Sequence, residues 1–299
     1  MKVIDATRPD SVTVQERGAF RVIPRAEAEA LGLVEPAPSA PVPYDDLPGL
    51  RWSALKRILD SPLAYKLQRP IKSAALHAGT LAHMATLQPE ILDTHTIVYD
   101  GRRDERTKAY QEVMAEADGR LIVRTDELEH ARRMAEAVWC HPVSGPLMQQ
   151  ATGREVVRQW TERGRLMKAQ IDILGGGLLL DLKTARTIEA RPFGGAAWRY
   201  GYHGQLAHYA AGMDGDPARG IIAVESDTYD VAVFWINPAE YYLGHDMRQR
   251  ALDMLDACEA SGEWPGRYTE AQMLPVPQYA YPDTDESEWG DWTEPQEET

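Results

Sequence analysis

The amino-acid sequence predicts a mixed α/β domain in which helices pack against a central β-sheet. Hydrophobic residues recur with a helical period until about residue 150 and then alternate along short segments, as they do in strands. The predicted order is helices, three strands, a helix, two strands and a helix. A chain of 299 residues, of which 43% are hydrophobic, is long enough to bury such a core.

The N-terminal 47 residues lie outside the predicted domain. They end in EPAPSAPVPYDDLPG, whose five prolines indicate an extended arm and linker. We expect the folded domain over residues 48–270. Its first four helices are predicted at 51–62, 75–90, 104–118 and 125–139.

The strands follow these helices. Three are predicted at 154–162, 165–174 and 178–184, and two more at 219–226 and 229–237. A helix at 195–213 separates the two groups. A last, long helix begins near Pro238, because proline is favoured in the first turn of a helix.

Charged residues interrupt the hairpin KAQIDILGGGLLLDLKTA, residues 168–185. Asp172, Asp181 and Lys183 lie inside its two apolar strands. Charged groups in a buried hairpin cost free energy unless they are paired or bind a metal. Because side chains alternate between the faces of a strand, each strand has an apolar face and a charged one. The first strand presents Met167, Ala169, Ile171 and Ile173 on one face and Lys168, Gln170 and Asp172 on the other.

The two charged faces coincide if the turn has an even number of residues or if a bulge shifts the register. A four-residue loop, 174–177, pairs Asp172 with Leu179 and leaves Asp181 on the diagonal, about 7–8 Å away. Two carboxylates directed at one point repel each other unless a cation lies between them. Oxygen ligands of this kind suit Mg²⁺ or Mn²⁺.

Lys183 shares a strand face with Asp181 and would reach water on that ion or a phosphate oxygen. A metal and a lysine so placed are the outline of a phosphodiester hydrolysis site. The alternative is a surface hairpin in which an aspartate and the lysine form a cross-strand ion pair.

Charge and cysteine content narrow the class of protein. The net charge is −14, but residues 283–299 hold eight acids and no base, so the body of the chain is only mildly acidic. We expect an acidic, disordered tail over residues 271–299.

Two cysteines exclude a disulfide scaffold and a four-cysteine metal site. The sequence has no apolar run of roughly 18 residues and no secretory signal, so we expect a cytoplasmic protein without a membrane span.

The charged hairpin resembles the motif of PD-(D/E)XK nucleases: Asp172 is followed by Asp181, Leu182 and Lys183. This superfamily has a restriction-endonuclease-like core, a central mixed sheet flanked by helices. The resemblance implies that Asp172 and Asp181 bind the metal together with the backbone carbonyl of Leu182. Lys183 would position the attacking water.

Two further motifs resemble those of RecB-type nucleases. Gln205 and Tyr209 fit the Q-x-x-x-Y motif, and Gly79 and His83 fit the G-x-x-x-H motif. The order and spacing of the motifs are similar to those of exonuclease VIII (RecE)-type proteins of phages and prophages, over residues 48–262. The resemblance implies that His83 also binds the metal. The remaining residues expected to bind DNA or support the site are Gln205, Tyr209, Glu155 and Lys168.

The resemblance implies a hydrolase, namely a metal-dependent exonuclease. It would digest linear double-stranded DNA in the 5′-to-3′ direction and act in phage-type recombination. Its partners would be DNA ends and a single-strand annealing protein, and it would form a homo-oligomeric ring in the cytoplasm of a bacterial host. Two alternatives stay open. One is a RecB-like endonuclease, although such CRISPR-adaptation enzymes usually carry four iron–sulfur cysteines. The other is a catalytically silent DNA-binding or assembly module, which has no need for two mutually repelling acids.

The segment AWRYGYHG, residues 197–204, is rich in aromatic side chains. Its tryptophan and tyrosines could stack on nucleobases, but we expect them to pack in the core. His203 and His208 are expected to have surface or packing roles.

Overall fold

The computed structural model describes residues 2–5, 11–16, 19–24, 27–28, 31, 43–68 and 74–275. The chain divides into two units, residues 1–47 and residues 48–299. The acidic tail predicted over residues 271–299 lies outside the described residues from residue 276 onward.

The N-terminal unit contains a three-stranded antiparallel sheet, although the sequence analysis predicts an arm there. Its strands are β1 (Lys2–Asp5), β2 (Ser11–Glu16) and β3 (Ala19–Pro24), in the order β1-β2-β3. Apolar residues alternate in SVTVQE and AFRVIP, a pattern typical of strands. A 3-10 turn at Tyr44–Asp46 follows near the end of the unit.

The larger unit is built from helices around a central sheet. Its helices are α1 (Trp52–Leu55, continued by a 3-10 turn at Lys56–Leu59), α2 (Pro62–Leu67), α3 (Ala74–Leu87), α4 (Pro89–His95), α5 (Lys108–Ala117), α6 (Thr125–Cys140), α7 (Ser144–Gln150), α8 (Ala190–Tyr200), α9 (Tyr202–Ala211) and α10 (Pro238–Ser261).

Five strands form the central mixed sheet, in the order β10-β9-β8-β7-β6. The β8–β9 pair is parallel and the other pairs are antiparallel. The predicted mixed α/β fold with helices flanking a central sheet is therefore confirmed. The strands are β6 (Gly153–Glu162), β7 (Arg165–Gly175), β8 (Leu178–Ala185), β9 (Ala218–Glu225) and β10 (Val231–Trp235). A separate parallel pair joins β4 (Thr96–Val98) and β5 (Leu121–Val123).

Both faces of the sheet are buried. Along β9, Ile221 and Ala223 pack beneath α8 and α9, while Ile222 and Val224 pack beneath α3, α6 and α7. Burial of one such aliphatic side chain stabilises the fold by about 1.5–3 kcal/mol. The charged residues of the hairpin therefore lie in a sheet that is covered by helices on both sides.

The predicted helix at 195–213 is two helices, α8 and α9, separated at Gly201. Gly201 has a φ of +72°, a left-handed conformation that glycine adopts without a steric penalty and that commonly ends helices. The sequence analysis does not predict α4, α7, β4 or β5, whose short segments give little periodic signal. None of the helices in the described ranges is long and apolar enough to cross a membrane.

Candidate functional site

The β7–β8 hairpin closes through a tight turn at Gly176 and Gly177. Its strand pairs are Ile173–Leu180, Leu174–Leu179 and Gly175–Leu178. The predicted four-residue loop is therefore wrong, as is the pairing of Asp172 with Leu179, and the register leads toward Asp172 opposite Asp181. Both turn glycines have positive φ, +62° and +78°, which a two-residue hairpin turn of this kind requires. The turn has an even number of residues, as the sequence analysis requires for the charged faces to coincide.

The sheet is irregular where β6 passes Asp172. The β6–β7 ladder pairs Arg154 with Ile173 and Val156 with Ile171, but Glu155 and Asp172 are not among its pairs. Glu155 has a φ of +52°, which is uncommon for a residue with a side chain and is often found at functional sites.

This irregularity overturns one predicted face. Ile171 packs beneath α8 and α9, whereas Ile173 packs beneath α3, α6 and α7. The two isoleucines therefore do not share a face, because the alternation of β7 shifts between them.

Asp172 is buried and is held from two sides. Its Oδ2 accepts a hydrogen bond of 2.7 Å from the backbone N–H of Leu182, and Nδ1 of His83 lies 3.6 Å from the same oxygen. Burial lowers the pKa of His83, although the negative charge of Asp172 opposes this shift. His83 is thus favoured in its neutral form, which has a ring nitrogen able to bind a metal.

His83, Glu155 and Asp172 form a group that could hold a metal ion. Each offers one ligand atom, and these atoms all lie within 4.8 Å of one another. Burial, followed by the negative charges of Asp172 and Asp181, raises the pKa of Glu155 to about 8. A cation between these side chains would remove the repulsion that raises this pKa. The donor set, one imidazole and two carboxylates, therefore fits a divalent metal.

Asp181 lies beside this group. It is 1% exposed, its Oδ2 lies 2.5 Å from Nζ of Lys183, and its Oδ1 accepts a hydrogen bond of 2.9 Å from Gln205. Burial raises the pKa of Asp181, and Lys183 opposes this effect. Burial lowers the pKa of Lys183, but Asp181 and Asp172 more than offset it, so the net shift is upward and the lysine stays charged.

The Oδ2 atom of Asp181 and Nζ of Lys183 form an ion pair in which the ammonium group donates. The two carboxylate oxygens of Asp181 have further lone pairs that can bind a cation. The metal-binding roles predicted for Asp181 and for the carbonyl of Leu182 stay predictions.

The other predicted residues support the site from within. Gln205 donates a second hydrogen bond, of 2.6 Å, to the hydroxyl of Tyr209, as expected for side chains four residues apart on a helix. Tyr209 is 7% exposed and Lys168 is 5% exposed. Both are buried, so their positions suit bracing of the hairpin better than direct contact with DNA.

Two more residues lie beside the site: Tyr202, which the sequence places in the aromatic segment 197–204, and Lys56, which no sequence motif predicts. The ring of Tyr202 lies 4.9 Å from Nζ of Lys183, and Nζ of Lys56 donates a hydrogen bond of 2.8 Å to the carbonyl of Tyr200. Burial and then the positive charge of Lys183 lower the pKa of Lys56. The available signal was the spacing of Trp52 and Lys56, four residues apart on one helical segment. Both donate to carbonyl groups at the junction of α8 and α9.

Comparisons with known proteins identify the family and the fold of the chain. Residues 52–275 match the family model described as a PDDEXK-like domain of unknown function (DUF3799). No curated protein matches the sequence. The chain is similar to a solved structure from Eubacterium rectale described as "Putative exonuclease", with a TM-score of 0.51 and 13% identity. The similarity covers 77% of this chain and 91% of the other, and at this identity it shows the fold alone.

Proposed function

Because the chain belongs to the family of PDDEXK-like domains of unknown function (DUF3799), we propose that it is a metal-dependent deoxyribonuclease. Its proposed reaction is hydrolysis of phosphodiester bonds in linear double-stranded DNA. The observation that carries the proposal is the cluster of three carboxyl groups, one lysine and one histidine where β6 passes Asp172 at the base of the β7–β8 hairpin.

A purely structural role does not account for this cluster. Lys183 can balance one of the three acids, and the pKa of Glu155 is raised to about 8 because burial and the charges of Asp172 and Asp181 oppose its ionisation. Buried charges destabilise a fold when they are not balanced by a partner. A bound cation supplies that balance, and residues with strongly shifted pKa values in one place are typical of active sites.

His83, Glu155 and Asp172 would hold the metal, with Asp181 beside them. Mg²⁺ or Mn²⁺ suits the carboxylate-rich set. A divalent ion bound there supplies two effects: it makes water more acidic and it offsets negative charge on a phosphate.

The chain's own residues complete the proposed chemistry. Lys183 keeps its positive charge and is 17% exposed, so its ammonium group can approach a phosphate oxygen and orient the attacking water. Gln205 fixes the Asp181 carboxylate through Oδ1, and Tyr209 fixes Gln205 in turn. Precise orientation of reacting groups lowers the activation free energy, because less freedom is lost on reaching the transition state.

The finer parts of the proposal concern the type of nuclease. Exonuclease action, 5′-to-3′ polarity, a ring of identical subunits and a single-strand annealing partner are supported by the resemblance to exonuclease VIII-type proteins. The structural neighbour from Eubacterium rectale also carries an exonuclease description. A cytoplasmic location in a bacterial host, with a phage or prophage origin, belongs to the same proposal.

Digestion of labelled DNA tests the proposal. The substrates are linear duplex labelled at one 5′ or one 3′ end and closed circular duplex, each with Mg²⁺, with Mn²⁺ or with a chelator. We expect metal-dependent loss of the linear form only, with early release of the 5′ label. Cleavage of the circle would identify an endonuclease, and stability of both forms would support the silent DNA-binding module.

Metal binding can be measured separately, by calorimetry with Mn²⁺ and no DNA. Glu155→Gln and Asp172→Asn should each weaken binding, because each removes a charged ligand. Asp246→Asn, which changes an exposed acid of α10 that is 74% accessible, serves as the matched control. Equal affinity in all four proteins would show that His83, Glu155 and Asp172 are not the metal site.

A further inference from the structure

Two aromatic residues at the junction of α8 and α9, Trp198 and Tyr200, are exposed, contrary to the sequence-based expectation, whereas Tyr202 packs partly against the core. Trp198 is 47% exposed and Tyr200 is 49% exposed. The left-handed turn at Gly201 ends α8, and the rings of Tyr200 and Tyr202 lie 6.0 Å apart on either side of it, at 34°. About half of the surface of the Trp198 and Tyr200 side chains therefore stays open to solvent beside this helix end.

The ring of Tyr202 lies next to the proposed catalytic lysine, and the ring of Tyr200 lies next to that of Tyr202. Nζ of Lys183 lies 4.9 Å from the ring of Tyr202, which lies 6.0 Å from the ring of Tyr200. Each step spans one to two nucleotides of a stacked strand, at ~3.4 Å per base. A strand whose phosphate lies at Lys183 could therefore place its neighbouring bases along the two tyrosines.

Two cationic side chains lie beside the rings of Tyr200 and Tyr202, which together form an aromatic strip. The guanidinium of Arg199 lies 5.1 Å from the ring of Tyr200, and the ammonium group of Lys56 is bound to the Tyr200 carbonyl. Aromatic rings in a positively charged groove are the elements with which proteins bind single-stranded nucleic acid: the rings stack on bases and the cations attract phosphates.

We propose that Tyr200 and Tyr202, flanked by Lys56 and Arg199, form a stacking site for unpaired nucleotides at a DNA end. The inference rests on the proposed nuclease function and narrows its substrate to ends that carry unpaired bases. An intact duplex keeps its bases stacked on each other, so it must be opened at a free energy cost before such rings can bind them.

The test measures binding without cleavage, in the presence of a chelator. The probe is a DNA hairpin with 2-aminopurine in a five-nucleotide single-stranded tail, compared with the same hairpin with a blunt end. The proteins are the wild type, Tyr200→Ala, Tyr200→Phe and the control Tyr242→Ala, which changes an aromatic residue of α10 that is 65% exposed.

We expect Tyr200→Ala to bind the tailed hairpin about tenfold more weakly, as stacking of one base contributes, and to bind the blunt hairpin unchanged. The 2-aminopurine signal should change with the wild type and Tyr200→Phe, which keeps the ring, and with Tyr242→Ala. It should stay unchanged with Tyr200→Ala.

Three results would overturn the inference. If Tyr200→Ala binds the tailed hairpin as the wild type does, the exposed ring has another role, such as contact with a protein. If it loses affinity for both hairpins equally, the strip does not select unpaired bases. In either case, metal-dependent digestion of linear DNA by the wild type would leave the proposed nuclease function intact. If the wild type neither binds nor digests any DNA, both proposals fail.

Discussion

Two clusters of charged side chains lie within the same domain, and their charges are balanced differently. The acidic cluster contains Glu155, Asp172 and Asp181 with His83 and Lys183. The paired cluster contains Glu162, Arg248 and His208. Arg248 is 1% exposed and both of its terminal amino groups donate to Glu162, one at 2.9 Å.

The polar groups of the paired cluster form hydrogen bonds with one another and with neighbouring residues. Nε of Arg248 donates to Nδ1 of His208 at 3.3 Å, so Nε2 of this histidine carries the proton that it shares with the Lys168 carbonyl at 3.1 Å. Trp160 adds a further donor to Glu162, at 3.2 Å. One positive and one negative charge cancel, and the histidine is neutral because burial, and then Arg248, lowers its pKa to about 4.

The acidic cluster lacks such a balance, because it holds three carboxyl groups and one lysine, and burial together with the charges of Asp172 and Asp181 raises the pKa of Glu155 to about 8. Burial of charged side chains is therefore not by itself evidence of function. A cluster that is complete within the chain fixes a conformation. A cluster that needs a further ion is the better candidate for chemistry.

The largest expected effect is that of Asp181→Ala, which removes a charge from the acidic cluster. Cleavage of linear DNA should fall to background, because the variant lacks a carboxylate at the metal site. The melting temperature in chelator should change little, because relief of the repulsion with Asp172 offsets the loss of the ion pair with Lys183. Digestion at the wild-type rate by a folded variant would show that the acidic cluster is not the active site.

Lys183→Ala should lower kcat by about 10²–10³-fold, the usual effect of removing one group that stabilises transition-state charge. Affinity for DNA in chelator should change little, because the contact strengthens only as the reaction proceeds. Single-turnover rates and binding isotherms separate the two effects. Equal losses in binding and turnover would reduce Lys183 to a phosphate anchor.

Arg248→Met should act on stability rather than on catalysis. Removal of one partner leaves Glu162 partly buried without its counter-charge, and we expect a loss of about 3 kcal/mol in the free energy of unfolding. Urea unfolding measures this loss. The double variant Glu162→Gln with Arg248→Met should be more stable than Arg248→Met alone. An equally unstable double variant would show that the two side chains are not coupled.

The two clusters should respond to pH with opposite signs. The pKa of His208 is lowered from 6.5 to about 4, so its contribution to stability is present above pH ~6.5 and is lost as the pH falls toward 4. The pKa of Glu155 is raised from 4.5 to about 8, so its contribution is present below pH ~4.5 and is lost as the pH rises toward 8.

At about 1.4 kcal/mol per pKa unit, the change should be on the order of 3 kcal/mol for His208 and 5 kcal/mol for Glu155. Unfolding curves of metal-free protein across this range measure both slopes. Glu155→Gln should flatten the fall in stability between pH 6.5 and 8, where His208 no longer titrates, and should steepen the rise in stability between pH 4.5 and 6.5, where the two effects oppose each other. An unchanged alkaline slope in Glu155→Gln would mean that another group causes it.

The sequence predicted more about the fold and the principal charged residues than about how the backbone brings them together. Alternation and the D-x-K spacing were sufficient to locate Asp172, Asp181 and Lys183 in one hairpin, because these signals are local. The place of Glu155 in the ligand group depends on a left-handed residue and a missing strand pair, which no local pattern specifies. Exposure of Tyr200 depends on the helix break at Gly201, which the continuous apolar pattern conceals.

The way α1 is attached has a consequence for the order in which the site can form. The last carbonyl groups of a helix have no partner within it, and those of α8 and its cap receive Nε1 of Trp52 and Nζ of Lys56, from residues 149 and 144 positions earlier in the chain. Contacts between such distant segments form late, because a long loop must close first. Helix α1 therefore cannot fix the position of Tyr200 and Tyr202 beside Lys183 until residues 200 and 201 have been synthesised. A ribosome-bound chain that stops short of them has the start of the domain without a completed site.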